Sequence, residues 1–351
     1  MKKNIAILPG DGIGPEVILQ SVKILNSIGK KFGHFFKYKK GLIGYIAIKK
    51  KKNALPKETI NICLSSDAIL LGAVGNKKYE YNNLKLNPEQ GLLNLRKEMG
   101  SYCNIRPIKT YSFLLDKSPI KNKIIENVDF LIYRELTGGI YFGKKGRKKN
   151  YAYDYCNYSI EEINRISKKA FSSAIKRKKK LTLIDKSNVL ETSKLWREQV
   201  NKMSLSYPNV NLNFLYVDNA AMQIILNPIQ FDVILTENMF GDIISDEASV
   251  ISGSVGLIPS SSIGTKTPIF EPIHGSYPEA KGKNIANPIA SILSVSMMLE
   301  YFKMYEESKL LNLAVEESLK KGIYTKDINP IYFFSTEYVG NFISKYILDF
   351  K

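Results

Sequence analysis

Cysteine, histidine, tryptophan and acidic residues are all scarce in this 351-residue chain, which holds three cysteines, two histidines and one tryptophan. Cys63, Cys103 and Cys156 are an odd set with no CxxC pair. A disulfide framework and a thiolate metal site are therefore not expected, and packed thiols of a reducing compartment are. With only His34 and His274 there is no H-x-x-x-H pair, which argues against zinc. Long hydrophobic runs are missing too. The longest apolar segment, Ile285 to Leu299, is interrupted by Asn287 and Pro288 and falls short of a membrane span. The apolar stretch before Pro9 is too short for a signal peptide. A cytoplasmic protein without a membrane partner is the expectation.

The acidic deficit is 33 Asp and Glu against 51 Lys and Arg, a formal charge of +18. Only seven of the basic residues are arginine, at 96, 106, 134, 147, 165, 177 and 197. The lysines are spread along the whole chain, and the runs at 49–52, 144–149 and 176–180 have no nucleic-acid module around them. A solvated lysine-rich surface follows, with no nucleic-acid partner. What remains is 44% hydrophobic and 24% charged, ample for folded cores. The length exceeds the roughly 250–300 residues at which one core stops growing, so two domains are expected.

Short apolar runs alternate with helical patterns almost from end to end. Strands are predicted at 4–8, 67–74, 130–133, 181–184, 214–217 and 231–235. A helix is predicted from Pro15 to a stop at Gly33, and another opens at Pro56. Near-continuous apolar strands between helices indicate an α/β fold covered on both faces. The segment 139–158, rich in Lys and Tyr and without helical period, reads as an extended hairpin or arm.

In open α/β sheets the functional side chains gather at the carboxyl ends of strands. Those ends here carry Arg134-Glu135, Asp185-Lys186, Asp218 and the run from Thr236 to Asp246. Asp242 and Asp246 are four apart at the start of a helix and face the same way. With Asp218 they form an oxygen-rich set suited to Mg²⁺ or Mn²⁺. The plainer alternatives are a helix N-cap for Asp242 and a first-turn charge for Asp246. Arg96 on a short apolar helix, Arg106 on a strand end before Pro107, and Arg134 offer forked donors for carboxylates. Pro9-Gly-Asp-Gly-Ile-Gly14-Pro15 follows a strand and opens a helix, but its glycine spacing is not G-x-G-x-x-G and no Walker Lys follows. A tight strand-to-helix turn and a cofactor loop both remain open there. The stretch Glu271 to Pro288, with a lone His and an acidic residue, reads as a functional loop.

Taken together, these residues resemble the β-decarboxylating isocitrate/isopropylmalate dehydrogenase family across essentially the whole chain. The resemblance rests on Asn238 to Asp246 through Gly253-Ser-Val-Gly-Leu257, on Arg134 to Gly143, on Asp185 to Glu191, and on the loop His274 to Pro288. It implies two α/β domains around a shared large sheet, and not a Rossmann fold. One domain would combine 1–101 with 253–351 and bind the cofactor. The other, 102–252, would carry dimerisation, substrate and metal, its arm near 139–158 interlocking with a partner to make a homodimer.

Site roles follow from the same resemblance. Arg96, Arg106 and Arg134 would hold the carboxylates of a small malate-type substrate. Asp242, Asp246 and Asp218 from the partner chain would bind Mg²⁺ or Mn²⁺. Lys186, delivered across the dimer interface together with Asp218, would be the base, and Tyr141 would protonate the product enolate. Glu89, Leu92, Leu93 and Val189 would line the substrate side-chain pocket, and the Leu92-Leu93 pair is similar to the isopropylmalate-type branch. Gly75, His274, Gly275, Ser276, Glu279 and Asn287 would receive NAD, Glu279 repelling a 2′-phosphate. The implied activity is NAD-dependent oxidative decarboxylation of 3-isopropylmalate in leucine biosynthesis. The sequence departs from the family pattern at Glu279, where Asp is usual, at Asn76-Lys77, where Gly-Pro is usual, and at Tyr79, where Trp is usual.

Overall fold

The structure, a computed structural model, describes residues 1–76 and 87–350; Lys77 and Tyr79 lie outside the described residues. The chain divides into two compact units, Met1–Ser101 with Gly253–Lys351, and Tyr102–Ser252. The first unit begins with β1 (Lys2–Gly10), α1 (Gly14–Phe32), β2 (Phe35–Lys40), α2 (Tyr45–Lys51), α3 (Lys57–Leu64), β3 (Ala68–Ala73) and α4 (Pro88–Glu98). β1 pairs in parallel with both β2 and β3. Every residue of β3 is buried, as its unbroken apolar run requires of a strand covered on both faces. α1 begins with Pro15 in its first turn and ends at Gly33, whose φ of 70° suits a residue without Cβ.

The second unit follows with β4 (Ser101–Lys109), α5 (Asn122–Ile125), β5 (Asp129–Glu135), β6 (Lys145–Arg147), β7 (Ala152–Asp154), α6 (Ile160–Lys176), β8 (Lys180–Asp185), α7 (Glu191–Ser204), β9 (Asn211–Tyr216), α8 (Val217–Leu226), β10 (Val233–Thr236) and α9 (Asn238–Ser249). Its strands lie in the order β4-β5-β10-β8-β9. β4 runs antiparallel to β5, while β5, β10, β8 and β9 are mutually parallel. Four strand ends with their connecting turns therefore open on one edge. β6 and β7 pair as a separate hairpin within the segment read as an arm. The core gathers Phe171, Trp196, Ile163, Ile166, Leu183 and Leu235, with Phe171 stacked on Tyr207 at 4.8 Å. Burying a side chain such as Phe171 contributes roughly 1.5–3 kcal/mol.

The chain then completes the first unit with β11 (Pro259–Gly264), β12 (Ile269–Pro272), α10 (Ile289–Tyr301), α11 (Tyr305–Lys320) and α12 (Thr336–Asp349). The strands of this unit lie in the order β2-β1-β3-β12-β11. β12 runs parallel to β3 and antiparallel to β11. Reversals of this kind do not occur in the two parallel halves of a dinucleotide-binding Rossmann sheet. α10 is apolar on nearly all sides because it packs against α1, α11, β11 and β12 at once. No helix among the described residues is long and apolar enough to cross a membrane.

Candidate active site

β10 delivers the chain into α9 at the open edge of the second unit. α9 starts at Asn238, with Glu237 as its N-cap residue. Asp242 and Asp246 therefore stand in its second and third turns, and neither the N-cap nor the first-turn alternative applies. Arg134, near the end of β5, spans the first turn: its Nε donates to the Asn238 carbonyl at 2.9 Å and its Nη2 to Asn238 Oδ1 at 2.9 Å. Its Nη1 bonds to Asp242 Oδ1. A Cβ at position 241 would lie 2.7 Å from Arg134 Cγ and 2.8 Å from Thr236 Cγ2, so glycine leaves the room that the stem of Arg134 occupies.

Arg106 approaches the same helix from β4. It lies in the interior of that strand, not at its end, with Pro107 continuing the pairing to β5. Its Nε donates to Asn104 Oδ1 at 2.7 Å and its Nη1 to Ser245 Oγ at 2.5 Å. The fork then reaches Asp246 at 3.5 Å and Asp242 at 3.7 Å. Tyr141 completes the cluster, its hydroxyl donating to Asp242 Oδ2 at 3.2 Å and its ring 5.9 Å from the Arg134 guanidinium. Burial and the Asp242 charge push the Tyr141 phenol above its ordinary range, so it is a neutral proton donor at pH 7. Both guanidinium groups are buried, and a buried charge robbed of its partner costs about 3–5 kcal/mol.

Lys186 and Asp218 form a second group at this edge. Lys186 follows the end of β8, Asp218 sits in the first turn of α8, and Nζ lies 2.5 Å from Oδ1. The hydrogen bond from Lys186 lowers the Asp218 pKa. Val189 is exposed on the turn that follows Lys186. Among the described residues no three His, Cys, Asp or Glu side chains converge as a metal site. Within one chain, then, Asp218 does not join Asp242 and Asp246. The pair Asp242 and Asp246 supplies hard carboxylate oxygens on one helix face, a donor chemistry that fits Mg²⁺ or Mn²⁺ when completed by further oxygens.

The remaining sequence-derived residues lie in the first unit. Arg96, on α4, gives Nη2 to Glu271 Oε1 at 3.0 Å, while its buried Nε has no hydrogen-bond partner among the described residues. Leu92 and Leu93 are half-buried on the same helix and Glu89 is exposed. Gly75, Glu89 and Ser276 converge: a Cβ at Gly75 would lie 2.9 Å from Glu89 Oε1 and 3.3 Å from Ser276 Oγ. In the glycine-rich turn, close packing requires glycine at two positions. A Cβ at Gly10 would sit 2.0 Å from the Ala73 carbonyl oxygen, and one at Gly12 1.8 Å from that of Ser276. Between them Asp11 is buried and accepts from the backbone N–H groups of Tyr45, Ile46 and Gly75.

The His274 loop carries a buried Nε2 with no partner among the described residues, while Nδ1 lies 3.0 Å from the Gly275 carbonyl. Burial lowers the His274 pKa, so the ring is neutral at pH 7. Gly275 has open space where a Cβ would be, and Glu279 is exposed on the turn at 278–280. An orphaned ring nitrogen beside bare backbone suits a planar polar ligand such as a dinucleotide. Asn287 is already engaged, donating to Asp327 at 2.9 Å and accepting from Ile289 N–H at 3.0 Å. Sequence reading missed Asn104, Asn238, Asp11 and Glu271. Each lay within or beside a stretch already singled out, yet none was assigned a role.

Residues 4–343 match the family model described as isocitrate/isopropylmalate dehydrogenase. The chain is 48% identical over 350 residues to a 3-isopropylmalate dehydrogenase of Bacteroides fragilis, covering 99% of both chains. It is 49% identical over 335 residues to that of Aquifex aeolicus, covering 93% of this chain and 92% of the relative. Among solved structures it resembles isocitrate dehydrogenase from Methylococcus capsulatus, with a TM-score of 0.89 and 28% identity, covering 99% of this chain and all of the other. It also resembles a β-decarboxylating dehydrogenase from Thermococcus kodakarensis, with a TM-score of 0.81 and 32% identity, covering 99% and 96% of the two chains.

Proposed function

The chain belongs to the isocitrate/isopropylmalate dehydrogenase family, and from that premise we propose that it oxidatively decarboxylates (2R,3S)-3-isopropylmalate. The products are 4-methyl-2-oxopentanoate and CO₂, with NAD⁺ reduced, in the cytoplasmic synthesis of leucine. It is an oxidoreductase, and the family in general uses NAD and a divalent metal. The observation that carries the reading is the approach of Arg106, Arg134 and Tyr141 to one carboxylate, Asp242. Two forked cations and a protonated phenol beside a metal-type carboxylate pair match a substrate that has two carboxylates and becomes an enolate.

Arg106 and Arg134 hold the malate carboxylates, the role the resemblance also gives Arg96. Lys186, supplied with Asp218 by the partner subunit, takes the hydroxyl proton as C2 loses its hydride. The β-carboxylate then leaves as CO₂, its bonding electrons passing into an enolate, and Tyr141 delivers a proton to that carbon. A divalent cation would be held by Asp242, Asp246 and the partner's Asp218 and would lower the hydroxyl pKa, and the dinucleotide would supply the hydride acceptor. Gly75, His274, Gly275, Ser276 and Asn287 belong to the dinucleotide's surroundings. Glu279 accepts the ribose hydroxyls and disfavours a 2′-phosphate. Leu92, Leu93 and Val189, with the stem of Glu89, meet the isopropyl group.

The site is completed by a second copy. Met222, Leu226 and Ile229 at and after α8, and Ile243 on α9, are each more than half exposed, an apolar surface suited to a homodimer. The test follows NADH at 340 nm with Mn²⁺, NAD⁺ and 3-isopropylmalate, beside D-malate, isocitrate and NADP⁺. Turnover confined to isopropylmalate and NAD⁺, and abolished by EDTA, is expected. Faster turnover of another diacid keeps the chemistry and overturns the pocket.

A further inference from the structure

Arg197, on α7, has no part in the reaction as derived above, yet it touches both strand ends that carry Lys186 and Asp218. Its Nε and Nη2 donate to the two oxygens of Asp185 at 2.8 and 2.9 Å. Asp185 is the last residue of β8, only 1% exposed, and its Oδ1 also accepts the Ser187 N–H at 3.0 Å. Lys186 lies between those two anchored residues. The Arg197 guanidinium also stands 4.9 Å from the Phe214 ring and 5.2 Å from the Tyr216 ring. Tyr216 ends β9, two residues before Asp218, and its ring lies 5.8 Å from the Lys186 ammonium.

We propose that Arg197 is a positioning residue: it locks the ends of β8 and β9 in register and so holds Lys186 and Asp218 at their separation of 2.5 Å. The inference rests on the reading of Lys186 as the base. Only arginine meets both demands. Its planar fork pairs with both carboxylate oxygens while its faces lie on aromatic rings, whereas a lysine ammonium is a point charge that neutralises Asp185 without fixing its plane. If Arg197 merely neutralised a buried carboxylate, lysine would serve.

The test compares Arg197→Lys and Arg197→Met in the wild-type chain and in Lys186→Met, reading kcat, both KM values and Tm of the full-length protein. In the wild-type chain we expect kcat to fall about tenfold or more in both variants. KM for the dinucleotide stays within about twofold, and Arg197→Lys melts close to the wild type. In Lys186→Met, whose residual rate no longer depends on the placement of that side chain, Arg197→Met costs several-fold less than in the wild-type chain, the remainder passing through Asp218, the signature of coupled residues. Arg197→Lys keeps the test usable if Arg197→Met does not fold. Wild-type kcat in Arg197→Lys overturns the proposal. So do losses that multiply in full in the Lys186→Met background while Lys186→Met alone is slow. Wild-type kcat in Lys186→Met is a different failure, removing the base assignment and the proposal built on it.

Discussion

At Gly241 a single methyl group would displace Arg134, since the Cβ would overlap Arg134 and Thr236 together. Gly241→Ala is expected to lower kcat/KM at least tenfold and to cost about 1–3 kcal/mol of stability, read by steady-state kinetics and urea unfolding. Glu237 gives a pH prediction. Burial raises its pKa to about 7, against a hydrogen bond from Ser193 that lowers it and the Asp185 charge that raises it further. A carboxyl with a raised folded pKa binds more protons folded than unfolded. Its contribution therefore falls as pH rises from about 4.5 towards 7, and the deficit persists above that. The deficit amounts to about 3 kcal/mol at about 1.4 kcal/mol per unit. Glu237→Gln should gain stability relative to the parent between pH 5 and pH 8, and an equal difference at both values would sink the argument. At this scale the sequence exposes residues whose chemistry is local and hides those defined by a distant partner. Arg134 and Asp242 stand in recognisable runs, but Glu271 matters only through Arg96, brought to it by the fold.

At the scale of elements the strands were legible because unbroken apolar runs such as 68–73 have few other uses. Boundaries were less so. α9 begins one turn earlier than Asp242 alone suggests, because the polar Asn238 is spent on Arg134 and Tyr158 instead of marking a loop. Pro107 made Arg106 look like a strand end, yet it is accommodated inside β4. α6 shows a clear start: Ser159 accepts from the Glu162 backbone N–H, and the Glu162 carboxylate accepts from that of Ser159. Ser159→Ala removes half of this reciprocal cap. It should cost about 1 kcal/mol, seen as a lower urea midpoint with unchanged slope and unchanged KM.

For the whole molecule the proposed division of labour between two chains has a direct reading. Tyr141 contacts Asp242 within its own unit, while Asp218 does not join Asp242 and Asp246 in one chain. Tyr141→Phe and Lys186→Met homodimers should each be slow. Unfolded together and refolded as a mixture, they form hybrids in which one of the two sites is intact, recovering about a quarter of wild-type activity. No recovery in a mixture shown by mass to contain hybrids would place both residues in sites built from one chain. Composition and pattern could suggest two domains, but not which apolar helix faces stay exposed. Exposed Met222 and Ile243 look in sequence like any core residue.

The pairing of Ile69 with Ile269 and of Leu70 with Phe270 has a consequence for synthesis. The β3 edge that receives β12 emerges from the ribosome two hundred residues before its neighbour. The second unit, by contrast, is one uninterrupted length of chain. At ~5–20 residues per second, β3 waits on the order of ten seconds or more with a flat apolar edge unpaired, while the whole of the second unit emerges and can fold. The most vulnerable moment for this protein thus comes before it is finished, and substitutions that make the first hundred residues stickier should lower soluble yield without changing the enzyme that survives.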